Sequence, residues 1–137
     1  METATPLNDG NSTLRKGSGM EDLATNHFER VFLLFGTFFE DPQVTMGFTE
    51  SAFRAAEQTG SPSPSVLYQC AVDSISDWEN EREPEEALSL QARLCWLLKE
   101  LGMLRYNEIA KILGTDCEAV KHSIAETRFA LMHKLFD

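Results

Sequence analysis

The chain has 137 residues, of which 42% are hydrophobic and 25% charged, enough for one compact core or two very small ones. No apolar run approaches a bilayer's span and the start lacks a secretory signal's apolar stretch, which excludes a membrane or export assignment and points to a cytoplasmic protein; Cys70, Cys95 and Cys117 form no CxxC, so neither a disulfide framework nor a zinc knuckle is expected and the thiols should be reduced and mostly buried. The formal net charge is −10, but residues 1–87 hold 16 acidic against 5 basic side chains and residues 88–137 hold 6 against 7, which excludes a protein that grips nucleic acid with its whole surface.

Residues 1–20 are rich in Thr, Asn, Gly and Ser without apolar period and read as a disordered tail, with Met20 a second candidate start. From Glu21 to Phe39 the apolar positions Leu23, Phe28, Val31, Phe32, Leu34, Phe35 and Phe38 recur at helical spacing until Asp41-Pro42 ends the segment. Phe28, Phe32, Phe35, Phe38 and Phe39 are assigned to the core rather than to an exposed docking stripe. A second helix is expected over Gln43 to Gln58, with Met46, Phe48, Ala52, Phe53 and Ala56 inward. A third is expected over Ser65 to Trp78, with Pro64 at its first position and Val66, Leu67, Cys70, Ala71, Ile75 and Trp78 on one side. The run ENEREPEE, residues 79–86, lacks apolar residues and reads as a solvated acidic linker over 81–87 that separates two domains, 21–80 and 88–137. Beyond it lie a strongly apolar helix, Leu88 to Leu101, and a short one, Arg105 to Leu113, each followed by glycine; Asp116 can cap a last helix through Phe136. The chain therefore reads as all-α, a three-helix bundle followed by a smaller helical domain.

The most informative segment is RYNEIAKILGTDCEAVKHSI, residues 105–124. Ile109, Ala110 and Leu113 face inward on one helix, Gly114 makes the turn, and Val120 and Ile124 face inward on the next. This is the grammar of a helix-turn-helix, in which the first helix clamps the second and leaves its outer face open to base edges. A plain helical hairpin with a glycine turn would satisfy the same spacing.

The longer segment LSLQARLCWLLKELGMLRYNEIAKILGTDCEAVKHSIAETRFALMHKL resembles region 4 of bacterial RNA polymerase sigma factors, particularly the small extracytoplasmic-function group. Tyr106, Glu108, Ile109, Ala110, Ile112, Leu113, Gly114, Val120 and Lys121 match that family's pattern. HFERVFLLFGTFFEDPQVTMGFTESAFRAA and SPSVLYQCAVDSISDW are similar to the family's region 2 in their order of helices, with Leu67, Tyr68, Ala71 and Asp77 the matching residues. The resemblance implies a sigma-2-like bundle and a region-4-like helix-turn-helix domain, binding to core RNA polymerase, and promoter contact through Arg105, Glu118, Ala119, Lys121, His122, Ser123 and Arg128.

The charges depart from the family. Asp73, Asp77, Glu79, Glu81 and Glu83 stand where its third helix runs into a basic stretch; Ser123 and Glu126 stand at arginine positions, and Glu118 at a small one. Phosphate contacts need cations, so these changes weaken DNA binding. The alternative is a sigma mimic that occupies an anti-sigma factor or another transcription protein without touching DNA. Trp78, with Asp77 and Glu79, is the partner-surface candidate, and Trp96 is assigned to the core. His27, His122 and His133 are too scattered for a metal site, no cofactor motif is present, and no nucleophile has a recognisable base partner, so catalysis is not expected.

Overall fold

A computed structural model describes residues 12–82 and 89–136, and these form six α-helices with no strand among them. They are α1 (Ser12–Gly36), α2 (Pro42–Gln58), α3 (Pro64–Asn80), α4 (Leu90–Glu100), α5 (Tyr106–Leu113) and α6 (Cys117–Phe136). The all-α expectation is met. α1 starts upstream of the expected Glu21: Leu14, Arg15 and Lys16 are good helix formers, and extending an existing helix costs far less than nucleating one. Residues 1–11 of the expected tail and 83–87 of the expected linker lie outside the described residues.

The helix starts follow from short polar residues placed before each apolar run. Asp41 Oδ1 accepts the Gln43 N–H at 2.8 Å ahead of Pro42, Ser63 Oγ accepts the Val66 N–H at 3.2 Å ahead of Pro64, and Ser89 Oγ accepts the Ala92 N–H at 3.1 Å. Each cap satisfies a donor that the helix itself leaves orphaned, and each proline occupies a position where its missing N–H is harmless. Because Ser89 is the cap, α4 begins at Leu90 rather than at Leu88.

α3 is the central element. It packs on α1 and α2 along one side and on α4 and α5 along the other, while α6 packs principally on α4 and α5. The buried apolar side chains of α1 to α3 and of α4 to α6 belong to one continuous cluster, from Leu23 to Ile124. Leu34, Phe35, Leu67, Tyr68, Ile75, Leu94, Leu98 and Ile109 are fully enclosed, each worth about 1.5–3 kcal/mol relative to exposure. At one end Phe39 stacks on Phe48 at a ring distance of 4.5 Å and meets the edge of Trp78 at 4.9 Å.

On α2 the buried stripe is Thr45, Thr49, Ala52, Phe53 and Ala56, so Met46, expected inward, is exposed. Thr45 Oγ1 donates to the Asp41 carbonyl at 3.1 Å and Thr49 Oγ1 to the Thr45 carbonyl at 2.7 Å. With its hydroxyl satisfied one turn back, a threonine is as cheap to bury there as a small apolar residue. Of the three thiols, all free, only Cys95 is buried; Cys70 and Cys117 are half-buried.

Candidate nucleic-acid interface

The corner between α5 and α6 is closed at both ends by local hydrogen bonds. Arg105 begins α5 with extended backbone, and its N–H donates to Glu108 Oε1 at 2.9 Å. At the other end Gly114 is left-handed, with φ 68° and ψ 38°; the Thr115 N–H reaches the Ala110 carbonyl at 2.8 Å and the Gly114 N–H the Lys111 carbonyl at 3.4 Å. These two bonds make a Schellman cap, which glycine forms without steric penalty. Asp116 Oδ1 then accepts the Ala119 N–H at 2.8 Å and starts α6.

The inner faces seat the two helices. Ile109, Ala110 and Ile112 of α5 and Val120, Ser123, Ile124 and Thr127 of α6 are buried, and Leu113 is half-buried against the core. Glu118, Lys121, His122, Glu126 and Arg128 are exposed, Ala119 is half-buried and Arg105 is exposed beside the corner. Of the residues named for DNA contact, Ser123 is the one that the structure moves. It is 8% exposed, turned toward α4 with Cys95 as its hydrogen-bond partner, because positions 120, 123, 124 and 127 fall on a single face of α6. Burial pushes the Cys95 thiol up, and the Ser123 hydroxyl offsets this in part.

Tyr106, half-buried on the first turn of α5, gathers cations that are distant in sequence. Lys121 Nζ lies 5.8 Å from its ring centre and Lys99 Nζ, from the last turn of α4, 5.3 Å. Lys99 was not identifiable from spacing alone, since nothing in the α4 sequence says which residue of its last turn reaches α5. Carboxylates temper this edge: Lys121 Nζ is 3.5 Å from Glu118, and Arg128 is 3.6 Å from Glu100. All four side chains of these pairs are substantially exposed, so water and salt screen both pairs and either cation can exchange its partner for a phosphate.

The acidic candidates on α3 are divided. Asp77 is exposed, but Trp78 and Glu79 are engaged within the fold. Trp78 packs edge-on against Phe39 and Phe38, with the Arg82 guanidinium 4.3 Å above its ring. Glu79 Oε2 accepts from Arg93 at 2.9 Å, an ion pair with about a fifth of each side chain exposed that ties α3 to α4. Trp78 and Glu79 therefore hold helices together, and Asp77 is the member of the trio left on the surface.

Among the described residues, no group of three or more His, Cys, Asp or Glu side chains is placed to hold a metal ion, and no helix is long and apolar enough to cross a membrane. No protein-family model matches the chain, and neither a curated protein nor a solved structure is found to be similar to it.

Proposed function

We propose that the chain is a sigma-factor-like transcription protein that binds core RNA polymerase and contacts promoter DNA with the helix-turn-helix formed by α5 and α6. The observation that carries this reading is the corner itself: a Schellman turn at Gly114 and a cap at Asp116 present α6 outward, with Lys121 and Lys99 converging on Tyr106 beside it. In this reading Lys121, His122, Arg105 and Arg128 approach the duplex, the lysines and arginines against phosphate. The polymerase supplies affinity that so acidic a chain lacks, by making DNA contact an intramolecular event. The test is co-sedimentation with core RNA polymerase at near-physiological salt, followed by promoter binding by that complex. Lys121→Glu should leave polymerase binding intact while weakening promoter binding and lowering its salt dependence by about one charge. Failure to bind correctly prepared core enzyme would overturn the proposal.

A second reading has its own supporting observation. Glu118 and Glu126 lie on the exposed side of α6, and Lys121 and Arg128 each sit beside a carboxylate, which suits a sigma mimic that offers the shape of region 4 to an anti-sigma factor. That protein would bind its partner tightly and would be indifferent to DNA.

A further inference from the structure

Lys99, in the last turn of α4, is a half-buried lysine that no carboxylate accompanies. Among the described residues Arg93, Lys121 and Arg128 each pair with a glutamate, at 2.9, 3.5 and 3.6 Å, and Lys99 pairs with none. In a chain with 22 acidic residues against 12 basic ones this is no shortage of acids, and even the adjacent Glu100 is turned to Arg128. What Lys99 meets instead is the Tyr106 ring, 5.3 Å away, and a second ammonium, Lys121 Nζ, lies 5.8 Å from the same ring centre. A ring attracts a cation by about 0.5–1 kcal/mol at an exposed site, which holds each ammonium there without cancelling the repulsion between the two. An anion beside the ring cancels it.

The place of the ring in the fold says which anion. Tyr106 opens α5, the first helix of the helix-turn-helix, and in that motif the first helix crosses the DNA backbone while the second lies in the major groove. A cation beside Tyr106 therefore faces phosphates. The acids of the corner are each engaged with another group: Glu100 pairs with Arg128, Glu108 accepts the Arg105 N–H, Asp116 caps α6, and Glu118 pairs with Lys121. Glu118 has 86% of its side chain exposed, and a pair so open to water gives way when a phosphate reaches Lys121.

Resting on the reading that this corner binds DNA, we infer that Lys99 is a phosphate contact contributed from outside the helix-turn-helix. With Lys121 it grips the backbone of one strand, and Tyr106 is the positioning residue whose ring holds both ammoniums. Three helices meet at this grip: α4 supplies Lys99, α5 the ring and α6 Lys121. Lys99 is already half-buried, so it has less rotamer freedom to lose on binding than a fully exposed lysine. A phosphate contact carries affinity and register but no sequence, so Lys99 strengthens binding to every duplex alike.

The test is promoter binding by the complex of the intact chain with core polymerase, followed from about 50 to about 200 mM salt. Lys99→Met keeps an unbranched apolar stem and removes the charge. It should lower the slope of log affinity against log salt by about one, so that over this range the wild type loses about 3.5-fold more affinity than the variant. The preference for the promoter over a scrambled duplex should not change. Arg54→Gln removes the same charge from an exposed position of α2, which packs on α1 and α3, and should keep the wild-type slope. Tyr106→Leu should weaken promoter binding about two- to fivefold and Tyr106→Phe should restore it, with circular dichroism checking that each variant is folded. A wild-type slope in Lys99→Met, an equal drop in Arg54→Gln, or a changed sequence preference would overturn the inference and leave the DNA-binding reading standing. A Tyr106→Phe complex as weak as Tyr106→Leu would remove the ring from the grip. A wild-type complex that never engages the promoter would overturn the inference and the reading together.

Discussion

His27 and Tyr68 meet across the α1–α3 interface, with His27 Nδ1 3.1 Å from the tyrosine hydroxyl and the rings edge to face. Burial pushes the Tyr68 hydroxyl up to about 12, so it keeps its proton throughout the ordinary range. Burial, with the nearby Arg30 guanidinium adding to it, holds His27 below its usual 6.5. The neutral imidazole is therefore the form that the fold accepts. Above pH 6.5 folded and unfolded chains are alike in this respect; below it the unfolded chain takes up a proton that the folded one resists, so stability falls until the folded-state value has been passed. Urea unfolding midpoints measured from about pH 7.5 down to about 5.5, above the main carboxylate range, should drop in the wild type and flatten in His27→Asn. Equal slopes would remove His27 as the cause. A second residue-scale test lies at Gly102, where an added Cβ would stand 2.7 Å from the Leu98 carbonyl oxygen and 3.3 Å from the Tyr68 ring. The carbonyl is backbone and cannot swing away, so Gly102→Ala should cost about 1–3 kcal/mol in denaturant unfolding.

At the scale of elements, the docking of α6 on α4 depends on a hydroxyl. Thr127 Oγ1 is buried, 3.0 Å from the Ala92 carbonyl of α4 and 3.0 Å from the Ser123 carbonyl of its own helix. Thr127→Val keeps the shape and removes this donor, and should cost about 0.5–1.5 kcal/mol by denaturant unfolding. A cost near zero would show that the docking of α6 on α4 does not depend on this hydroxyl. The helices themselves were readable because their caps and breakers are local: Asp41-Pro42, Ser63-Pro64, Gly114 and Asp116 act within four residues of where they stand. What resisted reading was long-range. Lys99 and Lys121 meet at Tyr106 only because α4, α5 and α6 pack together, and Glu79 finds Arg93 across the α3–α4 junction. Ser123 is a different case, since its inward position follows from the spacing of Val120, Ile124 and Thr127; aligning it with a family arginine displaced the helical period as the guide.

On the scale of the whole molecule, α3 determines how the two helical groups behave. The sequence suggests a boundary in the acidic run after Trp78, yet Tyr68 packs by Gly102, Glu79 pairs with Arg93, and one apolar cluster extends through both groups. Helices that share a core of this kind lose it together, and chains of this size commonly unfold in a single step. The two tryptophans provide a direct test, because Trp78 lies on α3 and Trp96 on α4. In Trp96→Phe the remaining fluorescence reports the first group, and in Trp78→Phe it reports the second. In each variant the fluorescence midpoint in urea should coincide with the midpoint for loss of total helix by circular dichroism. Comparing two probes within one variant cancels whatever stability the substitution itself removes, which a comparison between variants would not. Fluorescence that leads or lags the helix signal would mean that one group unfolds while the other stands, and that the α3 contacts with α4 and α5 are too weak to couple them. Coincident midpoints would mean instead that a substitution between α1 and α2 lowers the population of folded helix-turn-helix by the same factor as it lowers that of the first group, so any loss of DNA or polymerase binding by such a variant has to be read against its measured stability.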